Sequence, residues 1–253
     1  MVRGARPPRS LGGAAPVIPT TAIVLAAGLG KRMRPLTETR PKPLIEVAGK
    51  PLLDHGLDAL AAAGVRDAVV NVHYLADQIE AHVAARARPR VVVSDERERL
   101  LDSGGGIAQA FRHTDADTVL LVNADTFWVD GRGASNIQRL GSAWDPSRMD
   151  MLLLLAPLDR AVGHTGRGDF LSKTDGTLVR SREGDVYAGA AILKRELFGH
   201  GEPAVHSLNL HFDRLIASGR LHGVPMDGLW LTVGTPDAIG EAEAAIREWR
   251  AAA

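Results

Sequence analysis

The 253-residue sequence contains no cysteine. This absence excludes a disulfide framework, a thiolate nucleophile and a thiolate metal site. Aromatic residues make up only 4% of the chain, and no segment has the continuous apolar length that a membrane span needs. Acidic and basic residues balance at 30 each, so no net charge favours nucleic acid or an anionic membrane as a partner.

Two further patterns are missing. The nine histidines show neither the HxH nor the HExxH spacing of zinc sites, and no GxSxG nucleophile elbow is present. Residues 1–19 are rich in Pro, Gly and Arg and lack the continuous apolar core of a secretory signal. We predict that they form a flexible leader outside the fold, and that the protein is cytoplasmic.

Apolar runs that alternate with helical patterns dominate the rest of the chain. The runs are continuous in Val, Ile and Leu, as is typical of strands buried on both faces of a parallel sheet. They lie at 21–26, 68–72, 90–94, 118–122 and 151–156. Helical patterns lie between them, at 51–64, 75–87 and 104–111. The alternation predicts an α/β fold with a doubly wound, mostly parallel, Rossmann-like sheet.

The pattern becomes less regular after about residue 155. A hairpin is predicted around Asp175–Gly176, followed by strands at 187–193 and 230–234. Helices are predicted at 207–219, with Ser207 as its N-cap, and at 236–253. We expect one domain over 20–253, with a first half over 20–156 and a second half over 157–253 that folds over the sheet as a lid or second lobe.

A glycine-rich, basic segment follows the first predicted strand. It reads AAGLGKRMRPLTETRPKPL, from Ala26 to Leu44. Glycines at a strand end let backbone N–H groups approach an anion. A Walker loop would need Ser or Thr after Lys31, where Arg32 stands, and a dinucleotide fingerprint would need a third glycine in place of Met33. The segment therefore predicts a loop for a small phosphate-bearing ligand that belongs to neither class.

Residues Leu25–Leu53 resemble the N-terminal signature of sugar-1-phosphate nucleotidylyltransferases, LAAGxGxRxxPLT, then PKPL, then V-x-GKP-L. The resemblance implies a nucleoside triphosphate and a sugar 1-phosphate as partners and Mg²⁺ as cofactor. It makes 20–156 the nucleotide-binding half, and 157–253 the sugar-binding half with the terminal helix. It implies catalytic roles for Arg32 and Lys42, and Asp125, directly after a predicted strand, as the metal ligand. The nucleotide-binding residues that it implies are Leu25, Ala26, Ala27, Gly28, Gly30, Lys31, Arg32, Glu96, Gly104, Gly105 and Asn123.

Some implied roles have simpler alternatives. Glu96 is the candidate reader of the base edge, but it also belongs to the charged run DERER, which a solvated surface would explain. Gly104 and Gly105 open a helix whose free N–H groups could face the nucleotide. For the sugar, the resemblance implies Asp169, Gly189 and Asn209, each of which could instead serve turn or cap chemistry.

The sequence departs from the family at two places. Many relatives have W-x-D-V-G-T, with the aspartate as a second metal ligand, where this chain has Thr232. Three consequences stay open: a water completes the coordination of the metal, another residue such as Asp227 reaches the metal, or the protein has lost activity. A Glu-Lys-Pro element is also missing, and Arg180 or Arg182 could supply its positive charge.

The LLDSGGGI segment and the NADTFW run look most like N-acetylmuramate-1-phosphate uridylyltransferases of cell-wall recycling. The resemblance thus implies transfer of a nucleotidyl group, from UTP, to N-acetylmuramate 1-phosphate. Mannose-1-phosphate guanylyltransferase and glucose-1-phosphate thymidylyl- or uridylyltransferase activities stay open, as does a catalytically silent regulatory homologue. We expect a monomer or small homo-oligomer that binds neither nucleic acid nor membrane.

Overall fold

The computed structural model describes residues 17–252. A seven-stranded sheet forms its centre. In spatial order the strands are β13 (Leu221–Pro225), β8 (Met151–Ala156), β12 (Val186–Lys194), β6 (Thr118–Asn123), β1 (Thr21–Leu25), β4 (Asp67–Val72) and β5 (Arg90–Asp95). Only β12 runs antiparallel to its neighbours. The predicted doubly wound, mostly parallel α/β fold is confirmed.

Six α-helices accompany the sheet in the described part of the chain. They are α1 (Leu52–Ala62), α2 (Ala76–Ala84), α3 (Asp102–Ala110), α4 (Asn136–Ala143), α5 (Asn209–Ala217) and α6 (Asp237–Ala252). Apolar residues of α1, α2 and α4 share one core cluster with the sheet, whereas those of α3 and α5 share another. The sheet is therefore covered on both faces, which explains why its strands are almost continuously apolar.

Smaller strands build the periphery. β7 (Thr126–Asp130), β14 (Gly228–Thr232) and β9 (Ala161–Val162) form a three-stranded sheet, and α6 packs on it through a third core cluster. Two short hairpins pair β2 (Glu46–Val47) with β3 (Lys50–Pro51), and β10 (Phe170–Ser172) with β11 (Leu178–Arg180). The latter is the hairpin predicted around Asp175–Gly176.

Met33 shows why the glycine-rich segment is ordered. Its side chain is fully buried in the third cluster, together with Phe127 of β7 and Leu231 of β14. The residue that stands in place of a third glycine therefore anchors the segment to the peripheral sheet.

The hydrophobic pattern did not predict α4. A local signal was nevertheless present, because Ser135 and Gln138 form a capping box at its start. The predicted leader reaches this helix: Val17 N donates to Gly141 O at 3.2 Å, and Ile18 packs against the core. Residues 17 and 18 therefore belong to the fold, so the predicted boundary of the leader at residue 19 lies too far along the chain. Residues 1–16 lie outside the described residues, and for them the leader stays a prediction.

Candidate functional site

A cavity of about 480 Å³ opens at the carboxyl ends of the central strands. Its walls come from the glycine-rich segment and from the ends of β4, β5 and β6. The lining residues are Leu25, Ala26, Ala27, Gly28, Lys42, Pro43, Asn71, Glu96, Leu100, Asp102, Ser103, Asn123, Ala124, Asp125 and Val205.

The cavity lies where the strand order reverses. From β1 the chain builds β4 and β5 on one side, and it then crosses to place β6 on the other side. Leu25 at the end of β1 pairs with Asn71 and with Asn123. Such a switch point leaves a crevice at the strand ends, the usual place of ligands in open α/β sheets.

The glycine loop borders this crevice directly after β1. Gly28 is exposed, and an ideal Cβ built on it would meet no atom within 4 Å. Gly30 has φ +59°, and a Cβ there would lie 3.0 Å from both Lys42 Cβ and Thr37 Cγ2. Thr37 Oγ1 also donates to Gly30 O at 2.9 Å. Glycine at position 30 therefore allows the turn and the close approach of Lys42.

Lys42 and Asp125 form an ion pair in the wall of the cavity. The Lys42 Nζ donates to Asp125 Oδ2 at 2.8 Å, with side-chain exposures of 10% and 46% respectively. Lys42 begins a short 3-10 turn between two buried prolines, Pro41 and Pro43, whereas Asp125 follows β6. The site thus holds one buried cation beside one accessible carboxylate.

Arg32 and Lys31 are both exposed, and neither lines the cavity. The Arg32 guanidinium lies beside Gly234, since an ideal Cβ there would be 3.4 Å from its Nη1. Their predicted phosphate contacts stay predictions.

Asp125 is the described residue best suited to hold Mg²⁺. Among residues 17–252 no three His, Asp or Glu side chains converge on one point. A single carboxylate still fits this ion, which binds through one or two carboxylates, substrate phosphates and several waters. Thr232 lies at the end of β14, paired with Thr126 beside Asp125.

Asp227 does not supply the missing second carboxylate. It precedes β14 at the end opposite to Thr232, and its backbone bonds Gly131 and Asn136 there. Four strand residues at about 3.3 Å each, 228–231, separate it from Thr232. The alternative in which Asp227 reaches the metal is therefore wrong.

Glu96 is buried, unlike its neighbours in the charged run. It is 3% exposed, and its carboxylate accepts from Asn71 Nδ2 at 2.7 Å and from Leu101 N at 3.0 Å. Burial raises the pKa of the Glu96 carboxyl, and these hydrogen bonds act in the opposite direction. The interpretation of Glu96 as part of a solvated surface is wrong; base reading stays a prediction.

The glycines at the start of α3 have protein partners. The N–H groups of Gly104 and Gly105 donate to His206 O at 2.9 and 3.1 Å, so the expectation of free N–H groups is wrong. Their Cα atoms face the segment 204–206, which would collide with a Cβ at either position. These two glycines are explained by packing, and a nucleotide contact stays a prediction.

None of the three predicted sugar residues lines the cavity, but Gly189 packs against Asn123, which does. Gly189, with φ +78°, lies on β12 so close to Asn123 that a Cβ would be 3.2 Å from the Asn123 side chain. The Asp169 carboxylate accepts from Tyr187 N of β12 at 3.0 Å, a contact between residues 18 positions apart and not a turn. Asn209 is exposed and accepts from Arg180 at 2.8 Å. The sugar contacts of Asp169 and Asn209 stay predictions, because neither residue lines the cavity.

Arg180 and Arg182, the candidates for the missing positive charge, and the start of α5 also differ from expectation. Arg180 is engaged by Asp213 and lies over the Phe170 ring, 4.7 Å from its centroid, whereas Arg182 is exposed. The predicted N-cap is wrong: Leu208 occupies that position, while Ser207 Oγ accepts weakly from Asn209 N at 3.3 Å.

Sequence patterns missed several wall residues. Asn71 is the most informative, because a polar side chain inside the apolar run AVVNV must find buried partners. Asp102 and Ser103 line the cavity beside the glycines of α3. Val205, which is 47% exposed, comes from the segment before α5, and only the folded chain brings it to the site.

A glycine loop, a buried lysine and an accessible carboxylate thus lie together at the switch point of the sheet, as expected for an α/β protein of the nucleotidyltransferase class. Residues 22–166 match the family model described as a MobA-like NTP transferase domain, and the chain belongs to this family. The protein is therefore a transferase of nucleotidyl groups.

Relatives cover almost the whole chain. An N-acetylmuramate alpha-1-phosphate uridylyltransferase from Caulobacter vibrioides is 46% identical over 239 residues, 91% of this chain and 98% of that protein. One of the same name from Neisseria meningitidis is 33% identical over 90% and 99%. HddC from Yersinia pseudotuberculosis, solved with GMP-PN, is similar in fold, with TM-score 0.69 and 20% identity over 89% of this chain and 99% of its own.

No helix within residues 17–252 combines the length and the apolar character that crossing a bilayer requires.

His211 gives the segment beside the site a defined pH dependence. Burial, with the neighbouring charges of His206 and Arg214, lowers the pKa of His211 to about 4, and its Nε2 lies 2.9 Å from His206 Nε2. The unfolded chain therefore binds a proton here that the folded protein does not, so stability falls as pH drops from 6.5 toward 4. We expect His211→Gln, which cannot titrate, to reduce the loss of Tm between pH 7.5 and 4.5.

Thermal unfolding at both pH values measures this difference. His113→Gln, at an exposed position, is the matched control for removing a histidine. Parallel pH profiles for His211→Gln and the wild type would contradict the buried, neutral state of His211.

Proposed function

We propose that the protein transfers a uridylyl group from UTP to N-acetylmuramate 1-phosphate, giving the nucleotide-sugar and pyrophosphate. The observation that carries the substrate is the 46% identity with the Caulobacter enzyme along nearly all of both chains. The cavity supports the same reaction class, because Lys42 and Asp125 meet beside the glycine loop.

The proposed reaction needs no catalytic base. A phosphate monoester has a second pKa of about 6 and is largely ionised near neutrality. An oxygen of the sugar phosphate then attacks the α-phosphorus, and the bond from that phosphorus to the bridging oxygen of pyrophosphate breaks. The main obstacles are repulsion between two anions and charge growing on the leaving group, so positioning and electrostatics carry the catalysis.

We propose that Lys42 acts on both obstacles. Its ammonium lies within the cavity on a side chain that is only 10% exposed, so phosphate contacts there are poorly screened by water. We propose that it contacts the phosphates of both substrates. The N–H groups around Gly28 and Gly30 would hold the triphosphate, with Arg32 and Lys31 contributing from the exposed side of the loop.

Asp125 would hold Mg²⁺ through its accessible carboxylate, together with triphosphate oxygens and waters. The bound ion supplies charge neutralisation at the phosphates. Lys42 contacts Oδ2 of this carboxylate, which leaves Oδ1 for the ion. We propose that the sugar lies on the side of Asn123, which lines the cavity and packs against Gly189.

Pyrophosphate release across a substrate grid tests the proposed function. The grid combines UTP, dTTP, GTP, CTP and ATP with the 1-phosphates of N-acetylmuramate, N-acetylglucosamine, mannose and glucose, in the presence of Mg²⁺. We expect UTP with N-acetylmuramate 1-phosphate to be the most productive pair. Preference for GTP with mannose 1-phosphate would contradict the proposed substrates but not the proposed class of reaction. UTP binding without turnover would indicate a catalytically silent homologue.

Lys42→Ala and Asp125→Ala test the proposed roles. Loss of one preorganised charge contact costs on the order of 10²–10³ in rate, and we expect kcat to fall by about that factor in each variant. Lys173→Ala and Asp115→Ala, at exposed positions away from the cavity, are the matched controls. Turnover near the wild-type rate in either site variant, at saturating Mg²⁺ and with unchanged Tm, would remove that residue from the mechanism.

A further inference from the structure

Asn71 links the end of β4 to the start of the glycine loop. It is 3% exposed, and its Oδ1 accepts from Ala26 N at 2.6 Å. Ala26 is the first residue after β1, two positions before Gly28. The Asn71 side chain therefore fixes the backbone at the point where the loop leaves the sheet.

Glu96 determines which way the Asn71 amide points. Its Oε1 accepts from Asn71 Nδ2 at 2.7 Å, and its Oε2 accepts from Leu101 N at 3.0 Å. Both neighbours are N–H donors, so both oxygens must accept, which a carboxylate can do and a glutamine amide cannot. With its Nδ2 bound to Glu96, Asn71 presents its oxygen to Ala26.

Gly106 makes room for this pair. An ideal Cβ at position 106 would lie 2.7 Å from Asn71 Nδ2 and 2.9 Å from Glu96 Oε1. The third glycine of α3 thus has a role distinct from that of Gly104 and Gly105, since it lets the helix approach the Asn71–Glu96 pair.

We propose that Asn71 and Glu96 are positioning residues, which act through Ala26 to hold the glycine loop in its phosphate-binding conformation. This inference rests on the proposed nucleotidyl transfer at the same site. The pair acts on the loop that faces the phosphates, which every nucleoside triphosphate shares. Its loss therefore lowers turnover with all nucleotides alike, whereas loss of a base reader changes the preference among them.

An exchange of the two functional groups tests the pair. In Glu96→Gln, the new amide N–H group faces one of the two donors, Asn71 Nδ2 or Leu101 N. In Asn71→Asp, two carboxylates face each other. The double variant Asn71→Asp/Glu96→Gln restores every bond: Asp at 71 accepts from Ala26 N and from the new amide, whose oxygen accepts from Leu101 N. It also keeps one negative charge in the pair.

We expect each single variant to lower kcat/KM for UTP about ten- to a hundredfold, and the double variant to recover most of that loss. The ratio of kcat/KM for UTP to that for GTP stays constant in all four proteins. The assays are run at pH 8, because at lower pH the two facing carboxylates of Asn71→Asp could share a proton and so repel each other less. Glu98→Gln, an exposed carboxylate two positions along the chain, is the matched control.

Amide hydrogen exchange separates this inference from the proposed reaction. In the ligand-free proteins, peptides containing residues 26–30 lose protection in both single variants and regain it in the double variant, whether or not any substrate pair is turned over. A double variant as impaired as the worse single variant in exchange and in turnover would overturn the proposal. A changed UTP-to-GTP ratio in Glu96→Gln would overturn it in favour of base reading.

Discussion

The ion pair between Lys42 and Asp125 is the contact on which the site depends. It joins two segments that are 83 positions apart in sequence, the proline-flanked turn after the glycine loop and the end of β6. Because Asp125 is half exposed, water screens the pair, and such pairs contribute only about 0–1 kcal/mol to stability. Its importance is that it holds two opposite charges at one point. Anionic phosphates and a cation can replace the partners of this weak pair with little loss of stability.

The sheet explains why these charges meet. β1 lies between β4 and β6, so the loop after β1, the polar ends of the neighbouring strands and Asp125 share one edge. The peripheral sheet supports this edge from outside through Met33. The loop therefore rests on buried contacts at both ends: Met33 on one side, and Ala26 bound to Asn71 on the other.

The central fold could be predicted from the sequence because buried parallel strands have continuous apolar runs, as in Ala22–Val24. The glycine loop, Lys42 and Asp125 were also predictable, since they form a contiguous signature or directly follow a strand. β7 and α4 were not predicted, because each has few apolar residues: Phe127 of β7 packs in the third core cluster, and Ile137 and Leu140 of α4 pack in the cluster shared with α1 and α2. The capping box at Ser135 was the signal available there.

Side-chain partnerships across the fold could not be read from local patterns. Glu96 belongs to a charged run yet is buried, because Asn71 and Leu101, from different parts of the chain, supply its hydrogen bonds. Gly104 and Gly105 suggested an open anion site, but the segment before α5 occupies their N–H groups. The same holds for Asp227, which local sequence left as a substitute for the carboxylate missing at Thr232. Only the strand register shows that Asp227 and Thr232 lie at opposite ends of β14.

A double-mutant cycle tests the central claim most directly, by comparing kcat/KM for the wild type, Lys42→Ala, Asp125→Ala and the variant with both changes. Groups that stabilise one transition state as a unit are strongly non-additive. The account predicts that the double variant is little slower than the slower single variant. If the two losses instead multiply, Lys42 and Asp125 act independently, and the account of one shared phosphate and metal site is contradicted.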